Sequence, residues 1–342
     1  MEYRGKYKVF DQTSIKTYPV CERANKVKRD DLLQTSDIAP PGNLSTETVH
    51  RIETLAQEII SCRKEGKPVI LFTGAHLIKN GLSRLLVDLV VRGLITLVAG
   101  NGATAIHDFE LALIGETSED VPNALGKGTF GMAYEFAYIN HALSVGNAQA
   151  LGYGESLGRM MCDVDFCDTV LSSARKEDQT QHFLHPELSV LAACYQKNIP
   201  FTVHVGIGTD VIDQHPSFDG QAKGGCSARD FLIYTREITK LTRGGVVLNI
   251  GSAVTGPEVL LKAISMAANT GQAPQHLLTA DFDLRSHDPN TMSDESAQGY
   301  YFRDQKSIVT RIPQAFAGRG LYIQGDQKQT FVQLYKKIME LA

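Results

Sequence analysis

The stretch PVILFTGAHLIKNGLSRLLVDLVVRGLITLVAGNG, residues 68–102, decides the fold. Val69 to Phe72 is a short apolar run without polar alternation, the mark of a strand covered on both faces, and it ends in Thr73-Gly74. Asn80 to Arg92 then carries apolar residues at helical spacing. Leu94 to Ala99 is a second apolar run and ends in Gly100-Asn101-Gly102. Two such strands joined by a helix form a βαβ unit, whose strands pair in parallel.

The alternation continues outward. Ala105 to Ile114 reads as a helix, and strands are expected at Phe201 to Val205, Val246 to Ile250 and Leu277-Leu278, the last ending in Thr279-Ala280. Helices Glu187 to Lys197, Ala228 to Leu241 and Glu258 to Asn269 lie between or after them. Upstream, Ser45 or Thr46 caps a helix from about Glu47 to Lys64. Downstream, Ser307 to Ile312 and Gly320 to Gln324 read as two strands joined through Gly318-Arg319-Gly320, and Thr330 to Leu341 as a closing helix. The pattern predicts an α/β fold: a Rossmann-like, doubly wound, mostly parallel sheet with helices on both faces. Residues 1–43 read as an N-terminal arm and residues 44–342 as one domain, with a helical insert around 115–173.

The 342 residues are 43% apolar and 21% charged, with a net charge of −4 and a pI near 6.2. That balance gives no electrostatic case for nucleic acid or an anionic membrane surface. The apolar runs fall far short of the ~20 residues that span a bilayer. Met1 to Lys6 has no apolar leader core behind its charges, and six cysteines lack a CxxC pair, so a cytoplasmic protein with reduced thiols is expected.

In an open parallel sheet, ligands bind at the carboxyl ends of the strands, where strand order reverses. Small residues there let a cofactor approach the backbone. The GxGxxG fingerprint is absent; Gly206-Ile207-Gly208-Thr209-Asp210 is only a fragment of it. Polar residues gather at the same ends: His107 and Asp108, Asp210 and Asp213, Asp281 and Asp283, then His287, Asp288, Asp294 and Glu295. Singly, each reads as a helix cap or a solvated acid; together they suit an amine or a divalent metal. No metal site is expected, since HEXXH is absent and His182 and His185 share a polar loop with Lys176, Glu177 and Asp178. Lys306 follows Tyr300, Tyr301 and Phe302. Aromatic cover there would desolvate its amine, as a Schiff-base lysine needs, whereas its neighbours Arg303 and Asp304 suit an exposed lysine.

Taken together, these segments resemble the deoxyhypusine synthase family. The resemblance runs through TGAHLIKNGLSRLLVDLVVRGLITLVAGNGATAIHDFELAL, HPELSVLAACYQKNIPFTVHVGIGTDVID, DFLIYTREITKLTRGGVVLNIGSAVTGPEVLLKAISMAAN and LLTADFDL. It ends in SDESAQGYYFRDQKSIVTR and GLYIQGDQ. Those enzymes bind NAD and move an aminobutyl group from spermidine to a protein lysine, commonly as homotetramers. The resemblance implies NAD contacts at Gly74, Ala75, His76 and Lys79, at Asn101, Gly102 and Ala103, at Gly251, Ser252 and Ala253, and at Thr279, Ala280 and Asp326. It implies polyamine-holding acids at Asp213, Asp288 and Glu295, and an imine-forming lysine at Lys306. His107 stands where the family has an acid, and Asp304-Gln305-Lys306 replaces Trp-Gly-Lys in a chain without tryptophan. The expected activity is an NAD-dependent transfer acting on spermidine or a related amine, with a protein lysine as acceptor in doubt. Alternatives are an NAD-dependent enzyme of a small amino acid such as ornithine, or a non-catalytic NAD-binding protein.

Overall fold

The computed structural model describes residues 3–38, 42–173, 182–292 and 294–342. Its strands are β1 (Asn25–Lys28), β2 (Val69–Thr73), β3 (Leu97–Asn101), β4 (Glu116–Glu119), β5 (Phe201–His204), β6 (Val246–Ile250), β7 (Leu278–Asp283) and β8 (Arg319–Gln324). Six of them form one parallel sheet in the order β5-β3-β2-β6-β7-β8. Counted along the chain, that order is third, second, first, fourth, fifth, sixth. It is the doubly wound order whose switch point falls between the first and fourth strands, here β2 and β6.

The helices are α1 (Thr46–Lys64), α2 (His76–Lys79), α3 (Ser83–Val91), α4 (Gly102–Ile114), α5 (Val121–Leu125), α6 (Tyr134–Ala148), α7 (Tyr153–Cys162), α8 (Val164–Ser173), α9 (Val190–Gln196), α10 (Gly220–Ile238), α11 (Thr255–Asn269), α12 (Ile312–Ala315) and α13 (Gln327–Leu341). Side chains alternate across a strand, so each strand feeds two cores. Val69, Leu71, Val246, Leu248 and Phe282 pack with Ile52, Leu55 and Ile59 of α1 and Phe331 and Ile338 of α13. Ile70, Phe72, Leu97, Ala99 and Val247 face the other way, onto Tyr234 and Ile238 of α10 and Leu260 and Ile264 of α11. The expected α/β, doubly wound architecture is the observed one.

Residues 121–173 supply α5 to α8, and the N-terminal stretch packs on this part of the molecule. β1 pairs antiparallel with β4, and Leu32 is buried against the first core.

Three local expectations are corrected. β3 starts at Leu97 rather than Leu94, because Gly93 turns left-handed (φ 70°) and Leu94 N closes the end of α3 on Leu89 O at 2.9 Å. β7 does not end at Thr279-Ala280 but runs to Asp283. Its acid Asp281 is accommodated because Asn249, its register partner on β6, donates to it at 2.7 Å. Ser307 to Ile312 is not a strand. Gln305–Arg311 is a π-helical segment that runs into α12, and Ile308 and Ile312, four residues apart, are both buried against the second core.

Candidate active site at the carboxyl edge

The carboxyl ends of β2, β3 and β5 border a cavity of about 200 Å³, whose walls include Lys79, Ala103, His107, Glu119, Phe136 and Asp210. α2 supplies Lys79, the first turns of α4 supply Ala103 and His107, and the loop after β5 supplies Asp210. Asn101 caps α4 by accepting from Thr104 N at 2.9 Å. The Thr104 hydroxyl donates to Thr73 O at 3.1 Å and so ties the ends of β2 and β3 together. His107 Nδ1 lies 2.7 Å from Thr117 Oγ1, and Thr117 donates in turn to Glu110. Beneath them Arg23, 7% exposed, reaches in from the N-terminal stretch and bonds both Glu110 and Glu135, two buried acids. Burial pushes the Glu135 carboxyl up and prevails over Arg23, whereas Arg23 and His107 overcome burial at Glu110 and hold it down. Ser118 lines the same cavity with φ at 70°, a strained conformation for a residue with a side chain.

Beside the cavity, Lys223 of α10 is fully buried and donates to Gly206 O (2.9 Å), Asp210 Oδ2 (2.7 Å) and Asp213 Oδ1 (2.5 Å). Asp213 Oδ2 accepts from the backbone N–H groups of Gly208, Thr209 and Asp210. Both oxygens of Asp213 are therefore spent within the chain. Asp210 rests against the start of α4: a Cβ added at Gly102 would stand 2.2 Å from Asp210 Oδ2.

At the switch point the two turns touch. Gly74 N donates to Ile250 O at 2.9 Å, and a Cβ on Gly74 would stand 2.3 Å from Gly251 O. Backbone packing accounts for glycine there without a ligand. The polar groups around this point nevertheless suit a dinucleotide. His76 is exposed, with its pKa lowered by burial, Lys79 and His107, and Lys79 has no ion pair among the described residues. Asn249 Oδ1 on β6 and Gln327 Oε1 beside Gly251 are buried without hydrogen-bond partners among the described residues. Gly251, Ser252 and Ala253 follow β6 directly. Cations, an exposed imidazole and orphaned side-chain amides are the groups an NAD pyrophosphate and ribose would engage, and in that sense these residues fit it.

The remaining candidates lie in the connection from β7 to β8. Lys306 is buried (5% exposed). Its ammonium donates to Tyr300 O at 2.9 Å and sits 3.0 Å from the centre of the Tyr300 ring. Desolvation, then Arg311 and Arg303, lower its pKa against the pull of Glu295. The Tyr300 hydroxyl donates to Glu295 at 3.1 Å, so Lys306, Tyr300 and Glu295 form one group. Asp288 is exposed and accepts from Asn290 N in its own turn. Asp213 does not join them. β5 and β7 stand four places apart, about 19 Å at ~4.8 Å per strand.

Other candidates serve the fold. Asp108 is buried and accepts from Val190 N, Leu191 N and Ser189 Oγ at the start of α9, with burial raising its pKa to about 6. Thr279 and Ala280 lie inside β7, where Thr279 bonds Ile308 O. Asp326 caps α13 by accepting from Lys328 N. Among the described residues, no three His, Cys, Asp or Glu side chains are placed to hold a metal ion; Lys176, Glu177 and Asp178 lie outside those residues. No described helix is long and apolar enough to cross a membrane. Sequence reasoning missed Arg23, Glu119 and Lys223. Lys223 had a readable signal, since it stands in register with Cys226, Asp230 and Tyr234 on the buried stripe of α10.

No family model and no curated protein matches the sequence. Among solved structures, the chain is similar to ArgZ, an arginine dihydrolase of the ornithine–ammonia cycle in cyanobacteria (16% identity, 88% of this chain, 33% of that one, TM-score 0.47). It is similar to AgrE in ternary complex with ornithine and NAD+ (13% identity, 88% and 34%, TM-score 0.47). A candidate deoxyhypusine synthase from Entamoeba histolytica is a further neighbour (11% identity, 86% and 88%, TM-score 0.43). The chain spans about a third of the length of the ArgZ and AgrE chains. These distant likenesses concern the path of the chain and carry no conclusion about activity.

Proposed function

We propose that this chain is an NAD-dependent enzyme acting on a small amine, with the cofactor laid along the carboxyl edge at the β2/β6 switch point. The observation that carries the reading is the doubly wound strand order, with a cavity at its carboxyl edge whose mostly apolar wall carries Lys79, a lysine without an ion pair among the described residues. Gly74 to His76, Gly251 to Ala253 and Gln327 would hold the cofactor. NAD, when bound, supplies a hydride acceptor for amine oxidation.

Two substrates follow from two parts of the edge. In a spermidine reading, the Lys306 amine adds to an oxidised substrate's C=N carbon and the leaving amine departs, so that the lysine carries the fragment as an imine. Desolvation, with Arg311 and Arg303, favours the neutral amine this step requires, against the attraction of the Tyr300 ring for an ammonium. A small amino acid such as ornithine is favoured by the cavity's compactness and by the unavailability of Asp213, which Lys223 already occupies.

Titration with NAD tests the common part. Ligand at a hundred times its Kd adds about 2.7 kcal/mol to unfolding stability, and His76→Ala weakens binding several-fold. A flat titration removes both enzyme readings. NADH absorbance with spermidine or ornithine separates them. In the spermidine reading, Lys306→Ala abolishes turnover and leaves NAD affinity within a few-fold; unchanged turnover excludes Lys306 from the chemistry.

A further inference from the structure

Around the 200 Å³ cavity, most of the carboxylate oxygens already accept a hydrogen bond from the chain itself. Glu110 takes Arg23 on one oxygen and Thr117 on the other. Glu119 takes the Tyr18 hydroxyl at 3.1 Å and Gly131 N at 3.1 Å. Asp210 gives Oδ2 to Lys223 and its carboxylate faces Asp213 N in the capping box of its own turn; Oδ1 bonds no side chain among the described residues. Lys79 has no ion pair among them either. Both Asp210 and Lys79 face the same small space, and Ile106, Val121, Phe130 and Phe136 form apolar wall between its polar groups.

From this we infer that the cavity is a zwitterion site: Asp210 Oδ1 receives the ammonium of a free α-amino acid, Lys79 receives its carboxylate, and the apolar wall takes the start of the side chain. Lys223 is a positioning residue. Fully buried and bonded to both aspartates, it fixes the Asp210 carboxylate over Gly102, the one residue type at that position that leaves room for it. The geometry disfavours a long polycation, which carries no carboxylate to meet Lys79. The inference rests on reading the carboxyl edge as the substrate site, and it selects the substrate class.

The test is calorimetric titration, without NAD, of L-norvaline against two truncated analogues: butylamine, which lacks the carboxylate, and pentanoate, which lacks the amine. Norvaline is expected to bind at least tenfold tighter than either. Lys79→Gln should cost norvaline about tenfold and leave butylamine unchanged, whereas Asp210→Asn should do the same to norvaline and leave pentanoate unchanged. Gly102→Ala, which displaces Asp210 without altering its charge, should behave like Asp210→Asn; Lys79 is partly exposed, so its variant keeps the test alive if a buried change impairs folding. An analogue binding within threefold of norvaline, or no binding by any of the three, overturns the inference. Zwitterion binding together with a flat NAD titration would leave it standing and remove the cofactor reading alone. NAD binding without discrimination among the three removes this inference alone.

Discussion

Lys223 and Lys306 are both buried lysines at the same edge of one sheet, and they are built in opposite ways. Lys223 is held by two carboxylates and a backbone carbonyl, so its charge is compensated on the spot. Lys306 has a carbonyl and an aromatic ring to hold its ammonium but no carboxylate bonded to it, and desolvation with two arginines nearby discourages its charge. The first amine is an architectural cation that shapes an aspartate; the second is kept chemically available. Burial alone therefore does not identify a reactive lysine; its partners do.

The largest effect that tests this contrast is on stability. Lys223→Met leaves Asp210 and Asp213 buried without their cation and should cost about 3–5 kcal/mol in urea unfolding. Lys306→Met loses one hydrogen bond and should cost at most about 1 kcal/mol. Equal losses would erase the distinction.

The same contrast extends to carboxylates. Asp230 is buried with no ion pair among the described residues; it accepts from Gly154 N and Val203 N, and burial raises its pKa from 3.8 to about 7. A raised folded pKa means that the native state holds a proton the unfolded chain has already released. The Asp230 contribution to stability therefore declines as pH climbs from 3.8 to about 7. Asp230→Asn should flatten that part of the profile, measured as urea midpoints at pH 5 and pH 8, and an unchanged slope would place the titration elsewhere.

The smallest effect sharpens the Lys306 side. In NMR titration of a ¹³C-dimethylated protein, the Lys306 signal should have its midpoint below the ordinary lysine value of 10.5, and Arg311→Gln should move it slightly upward. A midpoint at or above the ordinary value would make Lys306 no more available than a surface lysine.

Much of the architecture was legible because buried parallel strands write continuous apolar runs, as Val69 to Phe72 and Val246 to Ile250 do. Ser307 to Ile312 misled because its β-branched residues favour a strand locally, whereas the space beside the second core accepts side chains four residues apart. Asp281 made β7 look shorter than it is; only its neighbour Asn249, 32 residues away in the chain, explains how an acid sits inside a strand. For the site, the residue types at the strand ends were visible, and the cavity does gather Lys79, Ala103, His107 and Asp210. The bonding that leaves Asp210 half free and Asp213 fully occupied was not visible, because it is set by Lys223, ten or more residues further on and on a different helix.

The π-helical turn from Gln305 to Arg311 makes Lys306 sensitive to chain length in a way substitution scans would miss. A wide turn holds a residue beyond what an ordinary α-helix needs. Excising one, such as the half-buried Val309, would let the segment wind as regular helix and swing everything ahead of it by about 100°. A single-codon deletion there would turn Lys306 and the upstream Tyr300 together relative to Ile312 and the second core, so a change of chain length would re-aim the amine while leaving its nearest neighbours in place.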